Sequence, residues 1–180
     1  MATANARDNA AAKPELPSTV IDGETDAVDQ PGDKEMIAAT INIEGAVHQP
    51  RSFTRDELCT LPADDRMADV SKVAPHRRGE AVRLECILNE SEPDETATHV
   101  TLHSADGFSA SIPLAEIRET GLIIFQLDGE PVPDSAGGPF RFLIPNAAEC
   151  RVADLDACAN VKHLARIELT AGKGADTRYS

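Results

Sequence analysis

Two of the three Asp-Gly pairs, Asp106-Gly107 and Asp128-Gly129, constrain this chain more tightly than any other feature. "HVTLHSADGFSASIPL" alternates on both sides of the first pair, and "LIIFQLDGEPVP" runs a continuous apolar stretch into the second. Such pairs mark tight turns between strands, because a glycine adopts the positive φ these turns need at no steric cost. "TINIEG" alternates and ends in a glycine, and "MADVSKVA", "FRFLI" and "NVKHLARIEL" read as further strands. Helical signals are brief. Thr54 with Glu57 three residues on is a capping box, opening a helix in "SFTRDELCTLP" that Pro62 closes. "AVRLECILNE" reads as a short helix or strand, and "PLAEIRE" as a short helix with Pro113 in its first turn. Strands outnumber helices, so the expected fold class is α+β with a β-sheet core.

The 180 residues suit one domain with flanking segments. Residues 1–36 carry eight acids against three bases and few branched or aromatic side chains. They cannot bury enough apolar area to offset their ordering entropy, so they are expected to form a disordered acidic arm, free to reach a protein partner. Residues 37–172 form the expected domain and 173–180 a flexible tail. A formal charge of −14 argues against nucleic-acid and membrane-surface binding, since both partners are polyanionic. No stretch approaches a membrane span, and the first residues have no apolar signal core, so a cytoplasmic setting is expected. Cys59, Cys86, Cys150 and Cys158 form no C-x-x-C pair and read as free thiols rather than a disulfide framework.

Few constellations suggest chemistry. His99 and His103 have the spacing of a helical metal site, but in a strand they stand roughly 13 Å apart and cannot chelate one ion. Ser109 and Ser111 flank no nucleophile elbow. "APHRRGE" places His76, Arg77 and Arg78 in one basic turn, which could fork around a small oxyanion or simply balance nearby acids. In "GGPFRFLIP" the phenylalanines share one face and leave Arg141 on the other. In "NVKHLARIEL" alternation groups Val161, His163, Ala165, Ile167 and Leu169, with Lys162 and Arg166 opposite. Gly137 and Gly138, with free N–H groups, plus Arg141 and Lys162 would together cradle a phosphate.

Taken in order, "INIEGAVHQPRSFTRDELCTLP", "GEAVRLECIL", "GFSASIPLAEI", "LDGEPVP", "GGPFRFLIP" and "NVKHLARIEL" resemble the molybdopterin-binding domain of the sulfite oxidase family of oxidoreductases, over about residues 38–170. The resemblance implies that family's β-rich fold and a molybdopterin cofactor, with Arg141 and Lys162 on the pterin and its phosphate, Asn160 and the Gly137–Gly138 loop lining it, and Asp106 matching a further acid. Arg77 and Arg78 then become contacts for an anionic substrate.

The departures from the pattern are as specific. The family holds molybdenum through a cysteine on the strand before the Gly-Val-x-Leu segment; here that region, "MADVSKVAPHRRGEAV", has none, and Ser71 stands near the position. Ala136 replaces a pterin-binding histidine, and His163 a tryptophan. No metal-ligating or catalytic residue is therefore assigned. Three functions remain open: a molybdopterin-dependent oxidoreductase, a degenerate module that keeps the fold without the metal, and a partner-docking protein. No haem motif or iron–sulfur cysteine cluster is present in the sequence, so an electron partner would be a separate molecule.

Overall fold

The computed structural model describes residues 38–145 and 159–179, so the expected arm, Cys150 and Cys158 lie outside the described residues. Two five-stranded sheets share one core. The first has the order β2 (Arg51–Thr54), β1 (Thr40–Gly45), β10 (Leu164–Thr170), β5 (His99–Ser104) and β6 (Ser109–Pro113). Strand β1 runs parallel to β10, and the other pairs are antiparallel. The second sheet has the order β3 (Arg66–Met67), β4 (Glu80–Arg83), β7 (Leu122–Leu127) and β8 (Glu130–Pro131), with β9 (Arg141–Leu143) also on β7.

Alternation sets which face each strand buries. In β1, Ile41 and Ile43 point into the core while Asn42 and Glu44 face out. The inner faces of both sheets meet in a cluster that includes Ile41, Val100, Ile112, Ile167, Val82, Ile123, Phe125 and Phe142. The continuous apolar run of β7 has a direct cause: its other face is covered as well, by Val70, Ala81, Val132 and Leu143 around Leu122 and Ile124.

The Asp-Gly hairpins are as expected: β5 pairs with β6 and β7 with β8. At the second, Asp128 and Gly129 both have positive φ, 54° and 85°, the combination that two-residue hairpins favour. The capping box is present too. Glu57 N donates to Thr54 Oγ1 at 3.3 Å, and Thr54 N donates to Glu57 Oε2 at 2.7 Å, opening α1 (Arg55–Thr60). Helix α3 (Leu114–Ile117) starts immediately after Pro113.

Three expectations are corrected, and one open alternative is decided. "MADVSKVA" is not one strand: Arg66–Met67 pairs, and Val70–Lys72 is a 3₁₀ turn. Asp69 caps that turn by accepting from Ser71 N at 2.9 Å, a local bond that competes with a sheet ladder. "AVRLECILNE" contains both of its alternatives, β4 and then α2 (Leu84–Asn89). Alternation through "NVKHLARIEL" fails because His163 has φ 50° and the register shifts between Leu164 and Arg166. Val161, Leu164, Ile167 and Leu169 are buried instead, and His163 turns away from that set. Finally, residues 173–179 do not form a loose tail; they lie against β6, the edge strand of the first sheet.

Candidate functional site: a cation-lined cavity beside a glycine loop

Strand β7 assembles the site. Its Ile124 has Ala81 of β4 as partner on one side and Arg141 of β9 on the other. The turn that precedes β4 and the start of β9 are thereby brought to one cavity of about 220 Å³, lined by His76, Arg77, Arg78 and Arg141 over an apolar floor of Ile124, Leu127, Val132 and Ala136. Among the described residues no carboxylate lines it. Arg78 reaches Asp128 at 3.4 Å in an exposed pair, whereas no ion pair to Arg77 or Arg141 forms among the described residues.

Arg141 is held in place by its Nη1, which donates to Ala136 O at 3.0 Å. Its Nε is buried without a hydrogen-bond partner. Burial, and then the charge of Arg77, hold its guanidinium below the usual arginine range. Both effects disfavour a second cation in a partly closed space, and both would be relieved by an anion there.

The loop between β8 and β9 is a 3₁₀ turn, Asp134–Ala136, ending at Gly137 with φ 88°, followed by a cis Gly138–Pro139 bond. The expected free N–H cradle is absent. Gly137 N donates to Asp134 O at 2.8 Å and Gly138 N to Pro133 O at 3.1 Å, so both amides are used inside the loop. The two glycines serve close packing instead. A Cβ on Gly137 would stand 2.8 Å from Lys162 Cγ, and one on Gly138 would run into the Val132 carbonyl.

The other expected cofactor contacts do not join Arg141. Lys162 lays its stem across Gly137 and lines a separate cavity of about 280 Å³ with Ser104, Asp106, Phe108 and Asn160. Asn160 Oδ1 accepts from Ile144 N at 2.7 Å, a bond that ties the two ends of the segment between β9 and β10. Asp106 also lines a third cavity, of about 330 Å³, with Ala105, Asp134, Gly138, Pro139 and His163. In the sequence His163 reads as one member of an alternating face and as a substitution for a tryptophan. Its positive φ is invisible there, because nothing in "NVKHLAR" announces a left-handed residue.

Ser71 sits on the 3₁₀ turn rather than on a strand, in a cavity of about 330 Å³ with Asp69, Arg78, Glu80, Gln126 and Asp128. Arg78 borders this cavity and the cationic one. Its donors are hard oxygens, with no thiolate among the described residues. Cys59 donates to Gln126 Oε1 at 3.6 Å from behind that wall. Burial, and then Asp65, push the Cys86 thiol up to about 11, which keeps it protonated near neutrality. His103 bonds Glu168 at 2.9 Å and Arg166 at 3.1 Å, and His99 bonds Thr98 at 3.0 Å. Among the described residues no group of three His, Cys, Asp or Glu could hold a metal ion, and no helix is long and apolar enough to cross a membrane.

Comparison with known proteins adds three findings. The sequence model of the oxidoreductase molybdopterin binding domain matches residues 29–177. An uncharacterized oxidoreductase of Bacillus subtilis (strain 168), YuiH, is 25% identical over 123 residues, covering 66% of this chain and 62% of its own length. The crystal structure of the sulfane dehydrogenase SoxCD from Paracoccus pantotrophus superposes with a TM-score of 0.56 at 17% identity, over 75% of this chain and 39% of its own. That likeness is one of fold: sheet-rich, with few short helices.

Proposed function

The chain belongs to the oxidoreductase molybdopterin-binding domain family, that of sulfite oxidase, and from that premise we propose that it holds molybdopterin by the cofactor's phosphate in the cavity of Arg141, Arg77 and Arg78. The observation that carries this reading is Arg141, whose buried Nε has no hydrogen-bond partner among the described residues and whose side chain lines a cavity with other cations and no described carboxylate. Arg141 presents a planar fork suited to two phosphate oxygens, anchored from behind by Ala136 O. Half-buried Arg77 adds charge to the same cavity. His76 and the more exposed Arg78 stand at the mouth, where they would draw an anion in. The apolar floor excludes water from one side and strengthens each charged contact.

When bound in this family, the cofactor supplies oxidation and reduction at its molybdenum. The donor set here fits the phosphate end and not the metal end, since no cysteine lines the cavities described above and Cys86 is held protonated. Accordingly no redox step is assigned to these residues. The lack of a thiolate ligand among the described residues favours a second reading, a binding module that keeps the pterin without a working metal.

Expression in a host that makes molybdopterin separates the two. Molybdenum is counted by mass spectrometry, and pterin by fluorescence after oxidation. Pterin without molybdenum is the expected result, and Arg141→Ala is expected to lose it. Stoichiometric molybdenum would sink the metal-free reading, and full pterin retention by Arg141→Ala would remove that residue from the site.

A further inference from the structure

The segment 173–179 lies against β6 as a strap, and what it covers there is polar. Ala110 and Ile112 of β6 point into the core, so alternation turns Ser109 and Ser111 to the outer face of the first sheet, beside Thr101 of β5. All three hydroxyl residues are nonetheless buried. Gly174 N donates to Ser111 Oγ at 2.9 Å, and a Cβ on Gly174 would run into Thr101 Oγ1. That hydroxyl has no hydrogen-bond partner among the described residues. A strap over apolar surface is held down by the hydrophobic effect, whereas hydroxyls lose little by returning to water.

The edge beneath the strap is fastened through side chains. Phe108 O accepts from Ser104 N on the β5 side at 2.8 Å, so the N–H and C=O groups of Ser109 and Ser111 point away from the sheet. Thr177 Oγ1 serves both Ser109 N and Ser109 O, and Arg178 Nη2 serves Ser111 O. Those outward groups form a self-complementary set. With Ala110 opposite Ala110 of a second, antiparallel copy, each Ser109 faces the other copy's Ser111, and each such pair exchanges two backbone hydrogen bonds. The strand, Ser-Ala-Ser-Ile-Pro, brings no charge to repel its copy and only small side chains to the crossing. We propose that the segment 173–179 is a releasable strap over this edge, and that on its release two copies of this chain join β6 to β6 and merge their first sheets into one.

The test measures the mass of the full chain and its variants by light scattering on a sizing column, with a cooperative thermal melt to show that each is folded. Wild type is expected to be a monomer. Gly174→Ala lodges a methyl group against Thr101 Oγ1 and is expected to double the mass at the same protein concentration. Adding Thr101→Ala opens that space again and is expected to return the monomer. Adding Ser109→Pro instead leaves the strap off and removes an N–H that the pairing needs, so it too is expected to return the monomer. Hydrogen exchange at Ser109 N is expected to quicken when the Gly174→Ala dimer is diluted to monomer. A folded Gly174→Ala that stays monomeric would overturn the proposal, as would a wild-type dimer. If Gly174→Ala does not fold, Thr177→Val, which keeps the shape and removes the hydroxyl, decides in the same way. A dimer indifferent to Ser109→Pro would place the contact elsewhere and overturn it. So would an open-ended series of masses, the sign of β6 pairing with β2 rather than with itself.

Discussion

Arg141 and Cys86 are both partly buried and both titratable, yet burial acts on them in opposite directions for function. For the guanidinium it raises the value of an anion in the cavity; for the thiol it removes the charge that would make a metal ligand. The Cys86 shift can be read directly. Alkylation by iodoacetamide, followed by peptide mass spectrometry, is expected to keep rising with pH up to about 11, and a plateau near the ordinary thiol value of 9.0 would contradict the assigned burial and the effect of Asp65. At Arg141 the shape of the charge matters as well as its sign. Arg141→Lys is expected to lose most of the bound pterin, because a point charge on a flexible stem cannot reproduce the fork or keep the bond to Ala136 O. Pterin fluorescence at matched protein concentration checks this.

Among the elements, those governed by neighbours in sequence were legible. Thr54 and Glu57 announce α1 because the capping box closes within four residues, and the Asp-Gly pairs announce their hairpins for the same reason. Thr54→Ala is expected to cost about 1 kcal/mol in urea unfolding, the usual worth of a lost cap. Elements decided by a competing bond were not legible. Asp69 draws Ser71 into a 3₁₀ turn, so a strand-like run yields only Arg66–Met67. At β10, the positive φ of His163 and the register shift at Leu164 end an alternation that looks unbroken in the letters.

Across the whole molecule, the segment 173–179 closes the free edge of the first sheet. Thr177 Oγ1 accepts from Ser109 N at 3.0 Å and donates to Ser109 O at 3.1 Å, while Arg178 Nη2 donates to Ser111 O at 2.9 Å. The Arg178 and Asp176 side chains are only 1% and 6% exposed and pair at 2.8 Å. Arg178→Ala is expected to destabilise the fold by about 2 kcal/mol, since it removes the main partner of a buried carboxylate, leaves it to Lys173 at 3.4 Å, and uncovers the β6 edge. Burial raises the Asp176 carboxyl, but hydrogen bonds and charge from Arg178 outweigh it and leave the group below its ordinary 3.8. A carboxyl depressed on folding stabilises above its unfolded value and loses that contribution as pH falls through its folded one. Thermal melts are therefore expected to lose this contribution below about pH 4 in the wild type, and Arg178→Ala is expected to flatten that part of the profile.

The sequence by itself determined the α+β class, the turns and the cap, because each rests on periodicity or on contacts a few residues long, while the family rests on the resemblance of its motifs taken in order. It also placed Arg141 apart from its flanking phenylalanines, since the faces of a strand follow from parity alone. Only the tertiary structure decided which charges meet. Arg77 and Arg141 share a cavity because β4 and β9 flank the same strand, β7, and Lys162 is parted from them by its own contact with Gly137. Shared cavities depend on strand order and register across more than sixty residues, and no local pattern in a sequence encodes those.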